Sequence, residues 1–300
     1  MKTYVLFAFD METDIGSYLK TYDGVREGTG RILAILEKHR VPATFLFTGE
    51  AALANPEAVR QVAAAGHEVG CHGLRHETVG DAHFHMPNDT PILESEVEHR
   101  LRMAVRMVRD ASGTQPVTFR APRLWQGRAQ VRALEKLGFQ VDASYSVAAH
   151  KDRILPYHPS REDWLAPGRM RLLEIPNFAF LDAETDYSRF FCGNDQWPLL
   201  RLLGADFVRR GARHVVARQA ETSSVTVLLF YLHPWEFVPM PERCDYDEGT
   251  FLFKPELSKN CGDVMTGEFD SYIGMCREDG FQFATCRDFC RIWRSHERKD

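Results

Sequence analysis

Short apolar runs alternate with amphipathic stretches along almost the whole chain, and this alternation constrains the fold more than any other feature. TYVLFAF (3–9), ATFLF (43–47), HEVGCH (67–72), VTFRAP (117–122), FQVDAS (139–144), RLLEIPNFAF (171–180) and SVTVLLFYLH (224–233) each read as a strand. Between them, GTGRILAILEKH (28–39), PEAVRQVAAAG (56–66), a long run ending near Gly113 and RAQVRALEKLG (128–138) carry apolar residues at helical spacing. Further helices are expected within 195–212, around 264–279 and over CRDFCRIWRSHERKD, with GFQFAT as a late short strand. Strands that alternate with helices predict a parallel sheet with helical crossovers. Six or seven such units in 300 residues predict an α/β fold, a (β/α) barrel, complete or incomplete, in one domain spanning 1–300. Catalytic groups in such barrels sit at the C-terminal ends of the strands.

The strand ends carry reactive side chains. The first closes on FDMETD, with Asp10, Glu12 and Asp14 within five residues. The third runs into GHEVGCHGLRH, whose His72 and His76 are four apart, so a helical turn or tight loop can aim both at one point. Two imidazoles with a carboxylate from the first strand would give the three-ligand set of a catalytic metal site, with a position left for water. His67 begins its strand and is expected to pack or cap it, while His83 and His85 read as loop residues. Arg120 in FRAP is placed to neutralise and orient a nearby carboxylate. His233 in YLHPWEF ends the most apolar strand and would face the same rim as His72 and His76. Two rival motifs fail on spacing. HEVGCH sets its histidines five apart with a glycine between, unlike the HExxH helix. GTG at 28–30 lacks a third glycine at 33 and starts far beyond the strand, unlike a dinucleotide loop.

Composition excludes several classes. A net charge of -5 and a pI of about 6.2 give no reason to expect nucleic acid, and no run approaches the ~20 apolar residues of a membrane span. Asp10 and Glu12 interrupt the only N-terminal apolar run, so no secretory leader is expected. Seven cysteines without a CxxC pair suit free thiols in a reducing compartment, and the cytoplasm is the expected location. Cys286 and Cys290, one turn apart, read as helix core. Trp125, Tyr145, Phe178 and Trp235 could stack on a sugar or pack the rim.

FDMETD (9–14), GHEVGCHGLRH (66–76), FRAP (119–122) and LLFYLHP (228–234), in that order, resemble the polysaccharide deacetylase family, carbohydrate esterase family four, with its NodB-homology domain. The resemblance implies a distorted (β/α)7 barrel and metal-dependent hydrolysis of an N-acyl group. It implies Asp10 as general base, His72 and His76 as metal ligands, Arg120 as the holder of Asp10, and His233 as general acid. Many members have two adjacent aspartates where this chain has Asp10-Met11-Glu12, and a subset spaces its acids by one residue. Glu12 is therefore the expected third ligand and Asp14 the reserve. The fourth family motif is loosely matched by VDASYS, with Asp142 as an orienter of His233. The implied cofactor is a divalent metal: zinc, with cobalt or nickel as alternatives. The expected substrate is an N-acetylated or N-formylated amino sugar or its conjugate. FDMET with DGVREGTGRILAILEKHRV is also similar to deformylases of lipid-linked formamido-arabinose, and a small cyclic amide or imide is a further option. A non-catalytic binding module would not need Asp10, Arg120 and His233 together. A non-haem iron oxygenase shares the ligand set but leaves Arg120 and His233 without a task.

Overall fold

The computed structural model describes residues 1–80, 82–83, 92–180, 195–247 and 249–298. Seven strands form the central layer: β1 (Lys2–Met11), β2 (Thr44–Phe47), β3 (Glu68–Cys71), β4 (Thr118–Phe119), β5 (Val141–Asp142), β6 (Leu173–Glu174) and β7 (Val225–Leu232). Each pairs in parallel with the next from β1 to β6, and β7 pairs with the far side of β1. The seam between β6 and β7 is bridged in parallel by Asn177 and Leu229. The expected distorted (β/α)7 barrel is thus the fold.

Two features distort it. β1 lies against β2 only from Ala8 to Met11; its Tyr4 and Val5 pair instead with β10 (Gln282–Phe283). Between β7 and β10 the chain inserts an antiparallel hairpin, β8 (Arg243–Tyr246) and β9 (Gly249–Leu252), which its alternation had not announced. RLLEIPNFAF yields only Leu173–Glu174 as regular strand. Pro176 has no N–H to give the ladder, and pairing resumes as single bridges at Asn177. The helix expected within 195–212 is two helices, Leu199–Leu203 and Ala205–Ala220, broken at Gly204, whose φ is 86°.

The strands bury both faces. Outward residues Phe7, Phe9, Phe45, Phe47 and Phe230 meet the helical layer, whereas inward Leu6, Ala8, Leu46, Val141, Leu173, Val227 and Leu229 fill the barrel. The C-terminal helix, Cys286–Glu297, starts where Thr285 accepts the N–H of Asp288 at 3.0 Å. Its Cys286, Phe289, Cys290 and Trp293, spaced i, i+3, i+4, i+7, pack into the inner cluster. Burial pushes the Cys286 thiol up to about 12, so this pair is core. Among the described residues no helix is long and apolar enough to cross a membrane.

The glycines of 24–30 have a packing reason. The turn Gly24–Gly28 abuts the segment after β7: a Cβ on Gly24 would lie 2.3 Å from the Trp235 nitrogen, and one on Gly28 would lie 2.1 Å from the Pro234 oxygen. Gly30 has open space at the same position. Gly28→Ala should therefore cost about 1–3 kcal/mol through backbone displacement, while Gly30→Ala should be neutral or gain up to about 1 kcal/mol of helix propensity. Urea unfolding of the two variants measures this; equal effects would refute the contact.

Candidate active site

Side chains alternate along a strand, so the parity that fills the barrel also decides what its mouth receives. On β1, Leu6 and Ala8 are followed inward by Asp10 and Glu12; on β7, Val227 and Leu229 are followed by Tyr231 and His233. The same count brings His72 in after Glu68 and Gly70, and Arg120 after Thr118. Gly70 must be glycine here, because a Cβ would meet Leu46 Cδ2 at 2.5 Å and the Thr118 oxygen at 2.8 Å.

Glu12, His72 and His76 converge, their nearest ligand atoms all within 4.8 Å of one another. Glu12 Oε2 lies 3.1 Å from His72 Nε2 and 2.6 Å from His76 Nε2. His72 Nδ1 is 2.9 Å from the Arg120 carbonyl, which can only accept, so the proton sits on Nδ1 and the Nε2 lone pair faces Glu12. His76 reaches the site through a left-handed backbone, φ 63°. Burial raises the Glu12 carboxyl, but His76, His72 and His233 outweigh it and hold it well below its ordinary value. Burial opposes charge on His72, yet Asp10 and Glu12 raise it, whereas His76 is lowered mainly by burial. Glu12 Oε1 and His76 Nδ1 are buried without a hydrogen-bond partner. Lone pairs and an ionised carboxylate facing one point fit a divalent cation, and the donor set fits zinc chemistry.

Asp10 sits beside this cluster. Its Oδ1 accepts Arg120 Nη1 at 2.9 Å, and its Oδ2 is 3.7 Å from His72 Nε2. Asp14 is turned away: Oδ2 accepts from Thr21 at 2.7 Å and the Asp23 N–H at 2.8 Å, and Oδ1 accepts the Gly24 N–H at 2.9 Å. It organises the loop after β1 and lies outside the Glu12 cluster.

His233 is positioned by a residue three places on. Glu236 Oε1 accepts its backbone N–H at 3.0 Å and faces Nδ1 at 3.2 Å, while Glu236 Oε2 accepts Arg201 Nε at 2.8 Å. Burial raises Glu236, but His233 and Arg201 bring it below its ordinary value, so it is the acceptor and Nδ1 carries hydrogen. His233 Nε2 is thereby turned inward, 3.9 Å from Glu12 Oε1. The Trp235 ring stacks on the imidazole at 5.0 Å. HPWE carried this partner in plain view, but its role needs the tight turn Pro234–Phe237.

Asp142 does not orient His233. Its neighbours Val141 and Ala143 point into the barrel, so Asp142 points out, bonded to Ser144 and, at 2.5 Å, to Gln126. It pairs with Glu174, which accepts the N–H groups of Ser144 at 3.0 Å and Tyr145 at 2.8 Å. Burial pushes both carboxyls up, Asp142 to about 6, and the charge of Asp142 raises Glu174 further. Trp125, Tyr145, Phe178 and Trp235 are at most 2% exposed and cannot meet a sugar. His67 faces the Ala43 N–H at 3.3 Å; His83 packs on His150, and His85 lies outside the described residues.

Two residues at the mouth were missed. Tyr231, alone on β7 in being only partly buried, packs 4.7 Å from His233 and beneath the Arg120 guanidinium. Burial, with the charges of Asp10, Glu12 and Asp195, pushes its hydroxyl well up. Asp195, bridged to Ala179, is raised to about 7 by burial, against the opposing pull of Trp197, Gln196, Arg120 and His233. Inward parity marks Tyr231 in the sequence; nothing local marks Asp195.

Residues 10–141 match the family model described as polysaccharide deacetylase. Over those residues the chain is similar to that family. A peptidoglycan deacetylase of Helicobacter pylori is 25% identical over 209 residues, 61% of this chain and 68% of that protein. Of several other curated relatives, the chain spans between 22% and 44%. A solved structure from Mycobacterium smegmatis assigned to the polysaccharide deacetylases superposes with a TM-score of 0.64 at 19% identity, covering 99% of this chain and 91% of that one. The PuuE allantoinase structure does so with a TM-score of 0.64 at 16% identity, covering 98% and 90%. These structural likenesses establish a shared fold.

Glu236→Gln should lower kcat by about 10- to 100-fold, part of the ~10²–10⁴ that acid–base catalysis contributes, with metal content unchanged; wild-type turnover would overturn the role of Glu236. The Asp142–Glu174 pair should give a pH signature. Its folded pKa values lie above the unfolded ones, so its stabilisation is complete below about pH 4. The Asp142 share is lost as pH rises through about 6. Asp142→Asn should flatten that decline in unfolding free energy measured from pH 4 to 7.5.

Proposed function

We propose that this chain hydrolyses the N-acyl amide of an amino sugar or sugar conjugate, releasing acetate or formate. The observation that carries the reading is the single mouth shared by the Glu12–His72–His76 cluster, the Asp10–Arg120 pair and His233. Members of the matched family depend on a divalent metal. In this chain Glu12, His72 and His76 would hold it, as zinc, with cobalt or nickel as alternatives. The ion would polarise the amide carbonyl and make the attacking water more acidic.

The chain's own groups supply the rest. Asp10, its Oδ1 tied to Arg120, keeps Oδ2 directed at the cluster and takes the proton from water as the new C–O bond forms. Arg120 fixes that carboxylate, because a 0% exposed guanidinium also held by the Ala143 and Phe230 carbonyls cannot swing away. His233, protonated at Nε2 and held at Nδ1 by Glu236, gives its proton to the nitrogen as the C–N bond breaks. The products are a free amine and a short carboxylic acid. Peptidoglycan deacetylase is the name carried by the Helicobacter pylori relative, which supports an N-acetylated sugar as the substrate class.

The test is release of acetate, formate or amine from N-acetyl and N-formyl sugars, nucleotide sugars and cyclic imides, with Zn, Co or Ni added. Asp10→Asn and His233→Ala should lose at least about 100-fold in kcat while keeping the metal, and His72→Ala should lose the metal. Unchanged metal content in His72→Ala would remove the ligand assignment, and turnover only of imides would replace the sugar reading.

A further inference from the structure

Arg123 stands at the mouth of the site as a partly exposed cation, and among the described residues it has no ion pair. It differs in this from the two fully buried arginines nearby, since Arg120 is paired with Asp10 and Arg201 with Glu236. The turn after β4, Pro122–Leu124, carries it in the left-handed region, φ 58°, with Leu124 at φ 61°. Across the mouth, the loop after β1 does the same at Ile15, Gly16 and Ser17. Ile15, Ser17, His76, Arg123 and Leu124 make up five of the eight non-glycine residues with positive φ among those described. Backbone strain persists where surrounding structure holds it, and it gathers at ligand-binding places.

The guanidinium lies 5.7 Å from the centre of the Tyr18 ring and donates one long hydrogen bond, Nη2 to the Gly16 oxygen at 3.3 Å. Among the described residues that is its only hydrogen bond, so most of its five donors are left over. A Cβ built on Gly16 would meet nothing within 4 Å, so this edge of the loop opens to space. A guanidinium placed over an aromatic ring, with a spare fork of donors, is suited to a carboxylate or phosphate.

Resting on the N-acyl sugar reading, we propose that Arg123, backed by Tyr18, is the anion-binding element of a substrate subsite. The sugar presented to Asp10 and His233 then carries a carboxylate or phosphate close to the scissile amide, and a neutral N-acetylated sugar is the poorer ligand.

The test uses de-acylated sugars, which cannot be hydrolysed: glucosamine, muramic acid and glucosamine 6-phosphate, titrated by calorimetry into the metal-loaded protein and its Arg123→Ala and Arg123→Lys variants. The wild type should bind the better anionic sugar at least about tenfold more tightly than glucosamine, the scale of a charge-assisted hydrogen bond. In Arg123→Ala that ratio should fall to about one, and Arg123→Lys should keep part of it. Preference for muramic acid would assign a sugar carboxylate, and preference for the phosphate a phosphorylated or carrier-linked sugar. Equal affinities in the wild type would overturn the proposal, as would a loss in Arg123→Ala that leaves the ratio unchanged, since Arg123 would then only clamp the loop. Acyl release from N-acetylglucosamine is measured separately. If it fails while the charge preference stands, the reaction class is wrong and the subsite remains.

Discussion

The Arg120 guanidinium organises the C-terminal end of the barrel. It is fully buried, yet its donors go to the Ala143 oxygen at 3.1 Å, Asp10 Oδ1 at 2.9 Å, Asn177 Oδ1 at 3.0 Å and the Phe230 oxygen at 3.3 Å. One side chain therefore ties together β1, β7 and the segments that follow β5 and β6. Such a cation is tolerable only because Asp10 neutralises it and its fork of donors is satisfied. Asn177 is drawn into the same network and also provides the bridge to Leu229 that closes the seam. Closure of the barrel and orientation of Asp10 thus depend on a single buried ion pair.

Around that pair, strand parity sorts the chain's titratable groups into two environments. Inward parity sends Asp10, Glu12, His72 and His233 to one mouth, where opposite charges and lone pairs face one another. Outward parity sends Asp142 and Glu174 beneath the helical layer, where burial raises both and the pair joins β5 to β6. Two carboxylates with similar strand-end positions therefore do different work. His233 draws its partner from its own turn, and Arg201 anchors that partner by also donating to the carbonyls of Glu256 and, at 2.6 Å, Lys259.

Much of this could be read from the chain. The alternation of apolar runs and amphipathic helices gave the parallel barrel because each strand and helix is specified by periodicity over a few residues. The acids of FDMETD, the HxxxH of GHEVGCHGLRH, FRAP and YLHP were all visible as strand-end chemistry. Other features were less legible. The loose match of VDASYS sets Asp142 with His233, whereas its place between inward Val141 and Ala143 turns it outward. The aromatic residues near strand ends could have been wall or core, and their near-complete burial makes them core. Asp195 follows no strand and carries no local pattern, so only folding brings it within reach of Arg120 and His233.

The sequence by itself determined the fold class, the strand ends that bear reactive groups and the residue types available there, because propensity, periodicity and side-chain chemistry are local properties. Tertiary structure alone decided which of those groups meet. Glu12 rather than Asp14 faces the two histidines because the chain turns sharply after β1 and three donors claim the Asp14 carboxylate. Glu236 rather than Asp142 holds His233, and among the described residues Arg123 has no ion pair beside Tyr18. Those outcomes depend on distances of a few ångströms between segments far apart in the chain, and a linear pattern does not carry such distances.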